Sequence, residues 1–219
     1  SDALLEGLGK IADGYGVPIQ SHLSENDVEI ELVKKLCPDC EGYWDSYARR
    51  GLWRDGTIMA HCVHSDETER AAIKHAGVWV AHCPDSNTNI YSGIAPVRKM
   101  LDEGIRVALG SDIAGGAKLS MFHVMGEAIR ASKTRYYYSG KRGEERFLTV
   151  SEAFYLATSA GAAYFGAGPG FAKGDMLHAA VLSDETLPPS RKLTSLERLE
   201  RLVYADDARC VRAVWSEGV

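Results

Sequence analysis

An α/β fold built on a parallel sheet is predicted for this chain by three observations. Four short apolar runs recur along its first half, a segment of helical periodicity flanks each of them, and the runs carry no strict polar alternation. The runs occupy residues 17–21, 57–60, 78–81 and 105–109. Near-continuous apolarity of this kind is expected of strands covered on both faces by helices.

The elements follow in order. After the first strand, Ser24 and Asp27 read as a capping pair that opens a helix, and Asp66 with Glu69 opens the one after the second strand. Gly77 and Gly104 end the helices that precede the third and fourth strands, since glycine tolerates the left-handed conformation at a helix stop. A helix over 121–132 carries Met121, Val124, Met125, Ala128 and Ile129 at the spacing of a core face. Residues 133–147, KTRYYYSGKRGEERF, hold five basic residues and three tyrosines. Glu144 and Glu145 offset that charge and Gly140 and Gly143 break regular structure, so the segment reads as a solvated loop rather than a nucleic-acid patch. Thr149 and Glu152 form a T-x-x-E capping box, and the helix it opens extends to about residue 165. A Gly/Pro-rich bend at 166–170 leads to strand-like runs at 176–182 and 211–215, pieces of a small β appendage. The expected division is therefore 1–168 for the βα part and 169–219 for the appendage.

Composition narrows the function classes. The 219 residues include 30 acidic and 25 basic side chains, a formal charge of -5, and 45% are hydrophobic, which is too apolar for disorder. Mild acidity without clustered Lys and Arg gives no electrostatic reason for nucleic-acid binding. No apolar run approaches the roughly 18 residues of a membrane span, and the first nine residues lack the features of an export signal. Five cysteines, an odd number, do not make a disulfide framework, so a reducing, cytoplasmic setting is expected. The pair Cys37 and Cys40 in LCPDC lacks the second pair of a zinc ribbon and reads as a loop after a helix.

Chemistry concentrates where the strands end. His22, His61, His82 and Asp112 follow the four apolar runs in turn, and active sites of parallel α/β folds lie at the carboxyl ends of strands. One histidine there is ordinarily structural; four ionisable groups in succession carry a desolvation cost that packing does not require. Imidazole and carboxylate together suit Zn²⁺, which in catalytic sites takes about three protein ligands and a water. Glu25, three residues after His22 and expected in the first turn of the next helix, is placed as a general acid/base. Cys62 and Cys83 beside the rim histidines read as small buried residues, and Ser86 has no nucleophile-elbow context.

Four segments together resemble the guanine deaminases of the amidohydrolase superfamily: QSHLSEN at 20–26, MAHCVH at 59–64, VAHCPDSNTNIYSG at 80–93 and GSDIAGG at 110–116. The HCPxSN element is common to several deaminases and chlorohydrolases, whereas QSHLSEN with SDIAGG is more specific; Ser111 stands where the family usually has Thr. The resemblance implies a (β/α)8 TIM barrel with a small β domain, of which this chain supplies the second half as four parallel βα units and part of the appendage. It implies that His22 and Asp112 bind one zinc, and that Glu25 shuttles protons to the purine ring. It further implies that His61 hydrogen-bonds and polarises the attacked position, and that Asp112 accepts the proton of the hydrolytic water. His22, Glu25, His61 and Asp112 would all border the substrate, and His82 would support them from behind. The implied reaction is hydrolysis of guanine to xanthine and ammonia, in purine catabolism or salvage.

The family's H-x-H pair, which supplies two more zinc ligands, occurs nowhere in this sequence. The chain is therefore expected to be the C-terminal half of a larger enzyme, completed by an N-terminal barrel half and then a homodimer. In isolation it is expected to self-associate and to be inactive. The alternatives are a related hydrolase of another purine, a pterin or a triazine, and a non-catalytic half-barrel serving assembly.

Overall fold

The computed structural model describes residues 1–139, 146–168, 171–187, 189, 191–206 and 208–218. Its sheet has four strands, β1 (Ile19–Leu23), β2 (Thr57–His61), β3 (Trp79–His82) and β4 (Arg106–Leu109), in the order β1-β2-β3-β4. All three pairings are parallel, with His22 opposite Ala60, Ala60 opposite Ala81, and His82 opposite Leu109. Parallel register aligns the carboxyl ends on one edge, which gathers the histidines that end the strands.

Helix α1 (Asp2–Tyr15) precedes β1; α2 (Asp27–Leu36) and α3 (Tyr43–Ala48) connect β1 to β2; α4 (Glu67–Ala76) connects β2 to β3. Between β3 and β4 lie α5 (Pro84–Asn89) and α6 (Val97–Asp102). Asp66 caps α4, accepting from the Glu69 amide, and Gly77 ends it at φ +67, both as the sequence predicts. Gly104, at φ +80, follows α6 in the same way. The core between sheet and helices contains Leu23, Met59, Ile73, Val80 and Met100, all fully buried. Full burial of one such side chain contributes about 1.5–3 kcal/mol.

Several expectations are corrected. The cap of α2 is Asn26, not Ser24: Asn26 and Glu29 form a reciprocal box, and the Ser24 hydroxyl instead donates to Glu69. In β1, an outer strand of the four in this chain, Gln20 and His22 are exposed. Helix α7 (Met121–Tyr138) runs six residues into the segment read as a loop, because Lys133 to Tyr138 contain no helix breaker. Of the rest of that segment, residues 140–145, including Gly140, Gly143, Glu144 and Glu145, lie outside the described residues. Val124, Met125, Ala128 and Ile129 form the buried face of α7, with Met121 partly buried.

The Thr149–Glu152 capping box is present, but the helix breaks at Thr158 (ψ -88) into α8 (Val150–Ala157) and α9 (Ser159–Tyr164). Glu152 also receives Arg98 from α6 at 2.6 Å, which ties that helix to α8. Of the bend at 166–170, Pro169 and Gly170 lie outside the described residues. The appendage pairs β5 (Ala179–Leu182) antiparallel with β6 (Val211–Trp215), across α10 (Ser195–Ala205) and a 3-10 turn at Ala208–Cys210. Helix α10 is not anticipated above, although Thr194 and Glu197 carry the same capping-box signature as Thr149 and Glu152. Among the described residues no helix is long and apolar enough to cross a membrane. Cys37 and Cys40 do lie in the turn after α2, but the structure joins them as a disulfide, which an unbridged reading does not expect.

Candidate active site

The rim is built from backbone conformations that non-glycine residues seldom adopt. His61 closes β2 at φ +74, Cys62 follows at +48, Asp112 sits at +44 after β4, and Ser24 at +45 after β1. Each costs about 1–3 kcal/mol and persists only where the surrounding structure holds it, a pattern that collects at functional sites.

Three of the sequence-predicted residues meet there. One ligand atom each from His22, Glu25 and His61 falls within 4.8 Å of the other two. His22 Nδ1 lies 3.3 Å from Glu25 Oε2, His61 Nε2 lies 3.5 Å from the same oxygen, and the two imidazole rings meet edge to face at 4.5 Å. Asp112 closes the group, its Oδ2 at 4.0 Å from His61 Nε2. Glu25 is buried, but it stands before Asn26 and so in the turn ahead of α2, not in the helix's first turn.

His61 is fully buried and donates from Nδ1 to Asn87 Oδ1 at 2.8 Å. That bond leaves Nε2 facing two carboxylates with no hydrogen-bond partner. A nitrogen so placed is a seat for positive charge, either a proton or a cation shared with the carboxylates. The mixed imidazole and carboxylate donors suit zinc, so the residues fit the metal that the resemblance implies. His82, the fourth rim residue, is fully buried with both ring nitrogens unpartnered. Burial, and secondarily the charge of His61, pull its pKa down to about 4, so the ring is neutral at physiological pH.

Four neighbours of these residues are given no part in the site by the sequence reading. Ser86, from α5, donates to Asp112 Oδ2 at 2.6 Å, Asn87 orients His61, and Ser92 donates to Glu25 Oε1 at 3.2 Å. Asp85 accepts from the Ala117 amide and from His123 Nε2, fixing the loop that follows Asp112. For Asp85, Ser86 and Asn87 the signal lay in HCPDSN, a run of three consecutive polar residues just after a rim histidine. The glycines of GSDIAGG also acquire a reason: a Cβ on Gly115 would stand 2.5 Å from Ser86 Oγ and 3.0 Å from Asp112 Oδ2. Cys62 and Cys83 are buried and free, as expected; burial followed by the Asp112 charge pushes the Cys83 thiol up to about 12, which leaves it unreactive.

A cavity of about 670 Å³ lies away from this rim, walled by Met121, Phe122, Phe154, Phe171 and Val214. Its lining holds one ionisable side chain, His178, which is too little for the chemistry assembled at the strand ends.

The model of the amidohydrolase family matches residues 1–219. The chain is 36% identical over 226 residues to the probable guanine deaminase of Schizosaccharomyces pombe, covering all of this chain and 42% of that protein. It is 42% identical over 161 residues to the guanine deaminase of Dictyostelium discoideum, covering 74% of this chain and 35% of that one. Among solved structures, guanine deaminase from C. acetobutylicum with bound guanine superimposes with a TM-score of 0.94 at 43% identity, over 100% of this chain and 52% of its own. The chain thus spans about half or less of the length of the relatives it matches. With such neighbours, the four βα units are half of a (β/α)8 barrel and β5–β6 belong to its C-terminal appendage.

Proposed function

The chain belongs to the amidohydrolase family, and from that premise we propose that it is the C-terminal half of a zinc-dependent guanine deaminase that hydrolyses guanine to xanthine and ammonia. The observation that carries the reading is the convergence of His22, Glu25 and His61 within 4.8 Å, with Asp112 against His61, at the carboxyl ends of parallel strands. The guanine deaminase names of the relatives support the substrate.

In this proposal His22 and Asp112 hold the zinc, with two further ligands from an H-x-H that this sequence lacks. When bound there, the metal would lower the pKa of a water enough for it to attack at neutral pH. Asp112, oriented by Ser86, takes the proton released by that water. Glu25, held by Ser92, gives a proton to the ring nitrogen as the water adds; the proton held by Asp112 passes to the amine, so that ammonia leaves, and the hydroxyl proton of the adduct returns to Glu25. His61, oriented by Asn87, donates from Nε2 to the oxygen that adds to the attacked carbon and stabilises the charge that builds on it. His82 supports the rim by packing under it as a neutral ring. The substrate would lie against His22, Glu25, His61 and Asp112.

The proposal also comprises the division at 168/169, a homodimeric whole and a place in purine catabolism. A cytoplasmic setting belongs to it as well: free Cys62 and Cys83 accord with that setting, the Cys37–Cys40 bridge does not, and thiol titration of protein from its native source decides.

The full-length protein tests the function directly. Loss of guanine absorbance with release of one ammonia, abolished by a chelator and restored by zinc, is expected. Turnover of a pterin or a triazine in preference to guanine would reassign the substrate, and no turnover of any of them would leave a half-barrel without chemistry.

A further inference from the structure

Three side chains that this chemistry does not use converge on the backbone of the residues that it does. Tyr47, a buried residue of α3, donates its hydroxyl proton to the His22 carbonyl at 2.8 Å and shares a second bond with Ser21 Oγ at 2.9 Å. Tyr43, one helical turn earlier, stacks on Tyr47 with ring centroids 5.7 Å apart and planes 15° from parallel. Its hydroxyl donates to Glu29 Oε1 at 2.5 Å, and Glu29 Oε2 accepts the Glu25 amide at 2.9 Å and the Asn26 amide at 3.4 Å.

Helix capping explains only part of this. A capping box requires Glu29 to reach the Asn26 amide, whereas the shorter of its two bonds goes to Glu25, one residue upstream of the cap. Two aromatic hydroxyls then lock the arrangement from α3. Burial and the Glu29 carboxylate push the Tyr43 phenol far above its usual range, so it stays protonated and remains a donor. The result is that His22 is held through its carbonyl and Glu25 through its amide by a single relay.

We propose that Tyr47, Tyr43 and Glu29 are positioning residues that set the separation of His22 from Glu25. The consequence for rate rests on the deaminase reading; the consequence for the backbone does not. Small displacements of reacting groups cost rate far more than affinity, so the relay is expected to act on kcat.

The test uses Tyr47→Phe in the full-length protein, which removes one hydroxyl and keeps the ring. Amide exchange read by mass spectrometry is expected to accelerate about threefold or more over 21–26, with α4 unchanged. Guanine turnover is expected to fall about tenfold in kcat, with KM within about twofold. Tyr43→Phe should give the same pattern more weakly, and it carries the test if the Tyr47 variant fails to fold. Glu29→Gln, which keeps an acceptor oxygen, should recover most of what Glu29→Ala loses. Unchanged exchange and unchanged kcat overturn the proposal, as does a loss of protection spread evenly over the chain, which marks a merely structural role. Faster exchange over 21–26 in a protein that does not act on guanine sinks the deaminase reading and leaves the positioning role standing.

Discussion

The strand-end rim and the C-terminal appendage differ in how far their side chains are committed. At the rim, His61, His82, Asn87 and Glu25 are buried, and non-glycine residues hold left-handed backbone at Ser24, His61, Cys62 and Asp112. In the appendage, among the described residues, β5 and β6 pair only with each other, and Phe171, Met176, Val211 and Val214 stand exposed. Both regions are apolar in sequence. The difference teaches that apolar strands become a site only when the sheet is layered: the helices packed on β1–β4 supply the burial that holds strained turns and desolvated histidines in place, and a two-stranded ribbon has no such support.

The largest effect should come from the rim's chemistry. Glu25→Gln keeps the shape of the carboxylate and removes its proton transfer, and kcat on guanine in the full-length protein should drop about a thousandfold, equivalent to about 4 kcal/mol. A drop below tenfold would put the acid/base elsewhere. Next is the packing that supports the rim. Met59→Ala removes a fully buried side chain of β2 and should cost about 2–5 kcal/mol in denaturant unfolding.

The pH dependence of stability separates the regions in a third way. His82 is neutral in the fold down to about pH 4 but titrates near 6.5 when unfolded. The unfolded chain therefore binds more protons between those values, and stability falls as pH drops from about 6.5 to about 4 and levels off below. The loss from this residue is about 3 kcal/mol, and His82→Leu should remove that slope from unfolding curves recorded across the window. Smallest of all, Val214→Ser in the exposed strand β6 should change stability by less than about 0.5 kcal/mol; an effect as large as that of Met59→Ala would mean the two regions are equally committed, and the comparison would fail.

Local signals carried much of the architecture. Continuous apolar runs marked the four strands, Asp66 and Thr149 marked helix starts, Gly77 and Gly104 marked stops, and the strand-end positions of His22, His61, His82 and Asp112 pointed to the rim. Local signals also misled where two candidates competed. Ser24 and Asn26 are both good caps, and only the third dimension shows that the Ser24 hydroxyl is taken by Glu69, 45 residues away. The helical stretch at 133–138 was hidden because its basic and aromatic residues resembled a loop, although nothing in it breaks a helix.

What the sequence by itself determined is the four strands in their order, the helices whose caps and glycine stops it shows, and the identity of the ionisable residues, because periodicity, caps and glycines act within a few residues of themselves. Only the tertiary structure decided which of those residues touch. Ser86 reaches Asp112 and Asn87 reaches His61 across 26 positions, Ser92 reaches Glu25 across 67, and Tyr47 holds His22 from 25 residues away. No spacing encodes such pairs. They arise when parallel strands align their ends and the connecting helices fold back over them, and the distances then follow from packing rather than from position along the chain.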